Sequence, residues 1–537
     1  MLSTTVHEID IDALDALIAR LNEAKEFDFT LSKADIELLL CALATLATLQ
    51  SSLASNDITI HKMRKLLGIV ASSEKLAKLI GDNAQFDADD RRDENKTRKK
   101  PADKNETPAC RVEPTVVHHP LVDNKKGERC SCCLKGTLTK QAPTELLRIT
   151  GHGPYSAVNN VQARSRCNAC GEYFKAPLPA EVIADGGENQ KYGYTARALM
   201  ALNKYYMGAP FFRQQSLQTI LGRPISASTV FDQCELVAND AQPAFNELVK
   251  IAANAVHFRI DDTPHRILDQ TEKTIPNRRT QQPQKRTGTY ASGMIATLDN
   301  GRDIVLFQTN IGHAGEFIDH VLTKRDLALP PPILMSDALS SNLPSQVVVI
   351  SSLCNSHARR QYVDVIGSFR EQVSFVLKLY KEIWSNDDLT QTQRLSPAQR
   401  LAYHREHSLP TMQRIRAWGE TQLEEKRVEA NSGLGQAIRY LSKHFDRLTR
   451  FCTVEGAKLD NNKMEAQLKL IVRGRKNFSF YKTQIGADIA DILTSIIATC
   501  AGAQVNPFEY LTALQRNRDR VKADPGNWLP WNYQLNG

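Results

Sequence analysis

Three acidic side chains lie where they could converge on one divalent-metal site. Asp261 and its neighbour Asp262 directly follow a short apolar run, Asp337 follows a second such run, and Glu465 opens a segment of helical periodicity. Converging carboxylates repel one another and raise each other's pKa. Two Mg²⁺ (or Mn²⁺) ions roughly 3.5–4 Å apart would neutralise them and catalyse in-line phosphoryl displacement. The alternative is that these acids have no catalytic role, because loop aspartates are common and Asn462-x-x-Glu465 also fits a helix capping box.

Basic residues follow these acids closely in the sequence. Residues 273–286 and 466–487 each carry five bases and no acid, and aromatic residues interleave with the second run. A solvated surface normally mixes both signs of charge, whereas a groove for a nucleic-acid backbone is basic. The residues predicted to bind DNA are Arg278, Arg279, Lys285, Arg286, His357, Arg359, Arg360, Lys469, Arg473, Arg475, Lys476 and Lys482.

Two pairs of cysteines predict a separate, structural metal site. Cys130 and Cys133 form one C-x-x-C pair, Cys167 and Cys170 form another, and 33 residues separate the pairs. Four thiolates so arranged bind Zn²⁺ tetrahedrally and leave no open position for catalysis. The spacing suits a zinc ribbon built on two hairpins. Cys132 is an alternative ligand. The other interpretation is that these cysteines are separate buried or reactive thiols that bind no metal.

Short β-branched runs are the elements that must position the acids. Five of them lie between residues 255 and 353, with helical segments before and after, which predicts an α/β core with helical additions. Upstream, residues 209–231 have the spacing of a helix-turn-helix, with Gly222 and Pro224 in the turn and a serine N-cap for the second helix. Any αα-hairpin with a glycine turn has the same spacing.

Composition limits the class of protein without identifying it. The 537 residues are 42% hydrophobic and 24% charged, which excludes a collagen, a fully disordered chain and a disulfide mini-scaffold. The net charge of +8 is uninformative alone, since residues 87–108 hold seven acids and seven bases and predict a linker. We find no export signal, and the apolar run 485–503 contains two aspartates. We therefore expect a cytoplasmic protein.

The motifs follow one another as in transposases of the insertion sequence 66 family, and the chain resembles a divergent member. The segment from His61 ends in the family's Ser-Glu-Lys-Leu. Asp262 replaces the glutamate of the family's first acid motif, and Ile69-Val-Ala-Ser replaces its N-terminal arginine-containing segment. The other matching segments are Ala209-Pro-Phe-Phe-Arg-Gln-Gln, Ile260-Asp-Asp-Thr-Pro-His, Met335-Ser-Asp-Ala, Cys354-Asn-Ser-His-Ala-Arg-Arg, and Leu459-Asp-Asn-Asn-Lys-Met-Glu with the following Arg473-Gly-Arg-Lys-Asn-Phe.

The resemblance implies a multidomain α/β DDE transposase with a ribonuclease-H-like core, in which Asp261, Asp337 and Glu465 hold two Mg²⁺ ions. Its reactions would be strand cleavage at insertion-sequence ends and strand transfer into target DNA. The implied partners are the terminal inverted repeats, the target DNA, at least one further copy of the chain and accessory proteins encoded by the same element, at a bacterial nucleoid and without a membrane. A nuclease on the same core and a non-catalytic DNA-binding regulator are the alternatives.

The motifs and the resemblance together predict how the chain divides into domains. The expected domains are a helical DNA-binding or oligomerisation domain (1–84), a charged linker (85–128), a zinc-binding domain (129–185), a helix-turn-helix region (186–250), a catalytic core in two parts (251–355 and 456–503), a helical insertion between them (356–455), and a C-terminal tail (504–537).

Overall fold

The computed structural model describes residues 153–166, 173–187, 190–276 and 282–535, with Leu17, Thr137 and residues 20–21 and 32–40. The four cysteines predicted to bind zinc, Cys132, Arg278, Arg279 and the predicted linker lie outside the described residues. The chain divides into two compact units. The first comprises Met1–Lys96, Ala358–Trp384 and Arg414–Tyr440, and the second comprises Thr97–His357, Ser385–Gln413 and Leu441–Gly537.

Nine strands are present in the described residues. They are β1 (Arg164–Arg166), β2 (Tyr173–Lys175), β3 (His257–His265), β4 (Lys273–Pro276), β5 (Pro283–Arg286), β6 (Thr289–Thr297), β7 (Asp303–Asn310), β8 (Ile333–Ser336) and β9 (Ile350–Leu353). The main sheet has the order β7-β6-β3-β8-β9. Strands β3, β6 and β7 are antiparallel neighbours, and β8 and β9 run parallel to β3. The chain is thus a mixed α/β protein.

Each of the five β-branched runs contains one strand of this sheet, as predicted. The antiparallel hairpin β4–β5 lies within the first basic run and was not predicted. Its sequence is polar and contains Pro276 and Pro283, so it lacks the apolar alternation typical of a strand. Strands β1 and β2 pair antiparallel and flank, in sequence, the second cysteine pair.

Helices precede, interrupt and follow the strands. They are α1 (Ala180–Ala184), α2 (Tyr194–Tyr205), α3 (Phe211–Ile220), α4 (Ala227–Ala252), α5 (Ala314–Leu322), α6 (Asn355–Val363), α7 (Arg370–Thr392), α8 (Pro397–Glu424), α9 (Gly433–Leu448), α10 (Arg450–Thr453), α11 (Asn462–Phe478), α12 (Gln484–Gly502), α13 (Pro507–Arg516) and α14 (Arg518–Ala523).

Two apolar clusters cover the two faces of the main sheet. On one face, Phe258, Ile260 and Met294 join a large core built with α2, α4, α12 and α13. On the other face, a smaller cluster of β6 and β7 side chains packs against Met464 and Leu468 of α11. Because successive residues of a strand point to opposite faces, the even-numbered residues of β3 up to Ile260 are apolar, while the odd-numbered residues carry the polar groups toward α11.

Helix α12 covers the open edge of the outermost strand, β7. A four-residue step along a helix rises about 6.0 Å and a two-residue step along a strand about 6.6 Å, so the two elements stay in register. Three side chains of α12 accept β7 backbone N–H groups: Thr499 from Val305 at 3.0 Å, Ser495 from Phe307 at 2.8 Å, and Asp491 from Thr309 at 2.6 Å. This pairing protects an edge that would otherwise be free to associate with other strands.

The apolar composition of α12 follows from the same position. By length and composition it could cross a membrane, but 72% of its most apolar window is buried inside the protein. Its polar residues Asp491, Ser495 and Thr499 bind β7. Helix α12 is therefore accounted for as a core helix.

The described part of the first unit is mainly helical. Phe375 of α7 packs against Trp418 of α8 with ring centroids 5.5 Å apart. Gly419 lies so close to Ile438 of α9 that an added Cβ would come within 2.7 Å of that side chain. Helices α7, α8 and α9 therefore approach one another closely.

Candidate active site

The register of two parallel strands brings Asp261 and Asp337 together. The last parallel pair is Arg259 of β3 with Met335 of β8. Asp261 and Asp337 each lie two residues further along, so they occupy matching positions and point to the same face. Asp261 was predicted to follow its strand. It lies inside β3 instead, because antiparallel pairing with β6 continues to His265 after the pairing with β8 has ended.

A glycine on the neighbouring strand lets the third acid approach. Gly293 of β6 pairs with Asp261, so the two share a face. A Cβ at position 293 would lie 2.4 Å from Met464 and 3.2 Å from Leu468 of α11. The absence of a side chain there allows α11 to pack closely on the sheet. Glu465, in the first turn of that helix, is thereby carried to the same end of the sheet as Asp261.

Two buried asparagines fix the positions of these acids. Asn461, the residue before α11, donates its side-chain N–H to the carbonyl of Ile260 at 3.0 Å. That carbonyl immediately precedes Asp261, so the bond ties the start of α11 to β3. Asn342 donates to the Asp337 carboxylate at 2.7 Å. Sequence reasoning gave neither asparagine a role, although Asn461 stands in a motif that it singled out.

The raised pKa of Asp261 indicates that the three acids lie close together. Burial raises the pKa of Asp261 to about 7, opposed in part by the Asp262 N–H, which donates to its carboxylate at 2.9 Å. The negative charges of Asp337 and Glu465 raise this pKa as well. The three carboxyl groups are therefore close enough to repel one another, and a cation among them would favour the ionised forms.

Asp262 faces the other side of the sheet. Its carboxylate accepts the ring N–H of His313 at 2.9 Å and lies 3.4 Å from the Ala314 amide at the start of α5. The Tyr290 ring lies against His313 with centroids 3.9 Å apart. Asp262 therefore anchors α5 to β3 and is directed away from the carboxylate cluster.

Two further side chains adjoin Glu465. Cys354 continues β9 at the position level with Asp337, and His357 lies in the first turn of α6. The sulfur of Cys354, a ring nitrogen of His357 and a carboxylate oxygen of Glu465 all lie within 4.8 Å of one another. Burial raises the pKa of the Cys354 thiol to about 12. Both residues stood in a sequence motif, but only His357 was given a role, as a DNA-binding residue.

The two predicted DNA-binding bases of the β4–β5 hairpin that can be placed are paired with acids. Lys285 lies 2.8 Å from Glu272, and Arg286 lies 2.7 Å from Glu316 of α5. Lys285 is exposed, whereas the Arg286 side chain is largely buried. Arg286 therefore serves first to join the hairpin to α5.

The bases of α11 and the turn after it fall into two groups. Arg475 donates to the Thr263 hydroxyl at 3.1 Å and to the Pro264 carbonyl, and Arg473 donates to the Tyr206 carbonyl. These two arginines tie α11 to neighbouring segments. The side chains of Lys469, Lys476 and Lys482 are exposed. Lys469 and Lys476 lie within about 40° of Glu465 around the helix axis, so they form a basic stripe that starts at the third acid.

Arg359 and Arg360, also predicted to bind DNA, follow His357 on α6, and both are half-buried.

The helix-turn-helix spacing corresponds to α3 and α4. Ser226 caps α4 by accepting the Thr229 N–H at 3.1 Å, which is one of the two start positions expected. Helix α3 buries Gln214 and Gln218, while Phe212, Leu217 and Ile220 are exposed. A helical hairpin is thus present, and its binding of DNA stays a prediction.

The fold and the site define an α/β protein with a carboxylate cluster at the carboxyl end of a mixed sheet, covered by a basic helix. The chain belongs to the IS66 family of transposases, because the family described as "Transposase IS66 family" matches residues 190–489, which include all three acids. The resemblance seen in the sequence is thereby confirmed. Transposases act on DNA, so the family supports the expected partner.

Relatives are found in Sinorhizobium fredii (strain NBRC 101917 / NGR234). "Uncharacterized protein y4hP" is 24% identical over 461 residues, which is 82% of this chain and 78% of that protein. "Uncharacterized protein y4jD" is 22% identical over 440 residues, 78% of this chain and 81% of that protein. At this level of identity the chain is a divergent member of its family.

Proposed function

We propose that this protein is a DNA transposase whose catalytic acids are Asp261, Asp337 and Glu465. The matched register of the first two acids on β3 and β8, with α11 carrying the third, is the observation that supports this most directly. In a family of transposases, three carboxylates from separate elements meeting at one end of a sheet are suited to phosphoryl transfer on DNA. The mixed sheet supports a ribonuclease-H-like core.

The donor atoms of this cluster suit a hard divalent cation. All are carboxylate oxygens, which Mg²⁺ and Mn²⁺ prefer. When bound, two such ions would neutralise the acids and assist in-line displacement at phosphorus. The pKa of Asp261, raised chiefly by burial and further by the charges of Asp337 and Glu465, supports this assignment, because a cation among the acids would favour their ionised forms. Asn342 and Asn461 would keep Asp337 and the start of α11 in place during the reaction.

The exposed lysines of α11 supply a route for the DNA backbone. Lys469 and Lys476 would hold successive phosphates along the helix that carries Glu465. Strand cleavage at the element ends would be followed by strand transfer into target DNA. The N-terminal helices, the predicted zinc ribbon and the α3–α4 hairpin would recognise the terminal inverted repeats and assemble at least a dimer, with accessory proteins of the same element as further partners.

Removing one acid at a time tests the catalytic assignment. We expect Asp337→Asn and Glu465→Gln each to abolish cleavage of DNA carrying the element ends, while the dissociation constant for that DNA changes less than about threefold, because basic side chains would hold the phosphates. Glu509→Gln, an exposed acid on α13, is the matched control and should behave like the unmodified protein. Cleavage and strand transfer are measured with labelled end DNA and a plasmid target in Mg²⁺.

The same assay separates the alternatives. Strand transfer retained by either acid variant would overturn the assignment. Cleaved but never joined DNA would favour a nuclease. Binding of end DNA without cleavage by the unmodified protein would favour a non-catalytic regulator.

A further inference from the structure

Cys354, His357 and Glu465 form a cluster whose chemistry differs from that of the three acids. Their sulfur, ring nitrogen and carboxylate oxygen lie within 4.8 Å of one another, and they come from the end of β9, from α6 and from α11. Ligands around a tetrahedral Zn²⁺ ion lie about 3.3–3.6 Å apart, given Zn–N and Zn–O distances near 2.0–2.1 Å and Zn–S near 2.3 Å. A contraction of at most about 1.2–1.5 Å would therefore place all three on one ion.

Two backbone N–H groups already donate to the sulfur of Cys354, although burial without a cation raises the pKa of this thiol. The Asn461 N–H donates to it at 3.2 Å, and the backbone N–H of His357 donates to it as well. The side chain is fully buried, so no solvent competes for these bonds. Hydrogen bonds to a charged acceptor are stronger than those to a neutral one, so this environment suits a metal-bound thiolate. Binding would release the thiol proton to solvent.

The imidazole of His357 points toward the same place. Its Nδ1 atom is buried and makes no hydrogen bond to any described residue. It lies 3.7 Å from Oε1 of Glu465, too far for a hydrogen bond but close to the separation of two ligands on one metal ion. Buried polar atoms are normally satisfied, and a cation between these two would satisfy the ring nitrogen.

We propose that Cys354, His357 and Glu465 form a binding site for a thiophilic divalent cation of the Zn²⁺ type. Thiolate and imidazole ligands select such an ion over Mg²⁺, and three protein ligands leave one position for water. The site shares Glu465 with the proposed catalytic acids. Occupancy would therefore remove one Mg²⁺ ligand and inhibit the reaction, a consequence that rests on the proposed function.

Co²⁺ binding tests the site without any need for activity. The full-length protein, with its purified zinc content retained, is titrated with Co²⁺, and the thiolate-to-cobalt absorption is recorded in the near ultraviolet. We expect one equivalent of added thiolate-bound Co²⁺ in the unmodified protein. Cys354→Ser should lose this absorption, and His357→Gln should weaken binding by about tenfold or more.

Cys452→Ser removes another buried free thiol and is the matched control, which should titrate like the unmodified protein. Equal absorption in all four proteins would overturn the site. If Cys354→Ser fails to fold, the comparison of His357→Gln with the control decides the question in the same way.

Inhibition by Zn²⁺ tests the consequence separately. In Mg²⁺-supported cleavage, each protein is normalised to its own rate without added Zn²⁺. We expect the half-inhibitory Zn²⁺ concentration of His357→Gln to rise about tenfold over that of Cys452→Ser. An unchanged value would overturn the inhibitory role while the Co²⁺ result stands. Absence of cleavage by the unmodified protein would instead count against the proposed function.

Discussion

Asp261 and Asp262 are adjacent in β3 and point to opposite faces of the sheet. Asp261 faces α11 and feels the charges of Asp337 and Glu465, whereas Asp262 holds His313 and the start of α5. The alternation of side chains along a strand is enough to separate the two. The usual family residue after the first acid is glutamate, and the shorter side chain here reaches its partner in α5.

Paired substitutions at these positions test that separation. We expect Asp261→Asn to abolish cleavage, because an amide is a weak ligand for Mg²⁺. Asp262→Asn retains an acceptor for the His313 N–H, so its rate should fall less than about tenfold, the cost of weakening one hydrogen bond. Single-turnover cleavage rates in Mg²⁺ measure both. Equal loss in the two variants would show that Asp262 takes part in the chemistry.

At the scale of elements, the approach of α11 to the sheet depends on Gly293. A methyl group there would overlap Met464 and crowd Phe307 and Leu468. We expect Gly293→Ala to destabilise the protein by on the order of 1–3 kcal/mol and to slow cleavage by displacing Glu465. Urea denaturation and cleavage rates measure the two effects.

Two further substitutions complete that experiment. Met464→Leu removes the terminal methyl group that lies nearest, so the double variant should regain part of both losses. Gly502→Ala adds a methyl group where no atom lies within 4 Å, and its stability should change by less than about 0.5 kcal/mol. Full stability and activity in Gly293→Ala alone would contradict the packing role of this glycine.

The pairing of α12 with β7 predicts a pH dependence of stability. Burial raises the pKa of Asp491 to about 7, although the Thr309 hydroxyl and N–H donate to it and lower it. The unfolded chain loses this proton near pH 4 and the folded chain near pH 7, so stability falls as pH rises across that window. Asp491→Asn should reduce this fall by on the order of 1–3 kcal/mol.

Denaturation midpoints at several pH values between 4 and 8 measure the effect as a difference between variant and unmodified protein. Asp488→Asn changes an exposed acid of the same helix and is the matched control. A pH profile for Asp491→Asn that parallels the unmodified one would show that this carboxyl group is not the source of the slope.

At the scale of the whole molecule, the net charge of +8 says less than the position of the exposed lysines. Replacing Lys469 and Lys476 by alanine should weaken DNA binding and make its dependence on log salt concentration less steep by about two. Lys522→Ala, an exposed lysine of α14, should leave that slope unchanged. Binding isotherms at several salt concentrations measure it, and equal slopes in all proteins would exclude the α11 stripe as the DNA route.

Periodicity and motif order in the sequence were sufficient for the coarse fold and the family. The five β-branched runs are the five strands of the main sheet, because apolar strands must be buried wherever they lie. The hairpin β4–β5 escaped prediction because pairing, and not burial, stabilises it. The bonds from Arg473 and Arg475 to backbone carbonyls were not predicted, because an arginine that donates to a carbonyl cannot be distinguished in the sequence from one that binds phosphate. Their binding of DNA stays a prediction.

The sequence by itself determined which chemical groups are available: three acids, their order, and the basic residues that follow them. Only the tertiary structure decided that Asp261 and Asp337 occupy matching positions on neighbouring strands and that Asp262 points to the opposite face. It also decided that Gly293 allows α11 to pack closely on the sheet, and that Cys354 and His357 lie beside Glu465. The physical reason is that residue type is a local property, whereas direction and proximity depend on strand register and on helices brought together from distant parts of the chain.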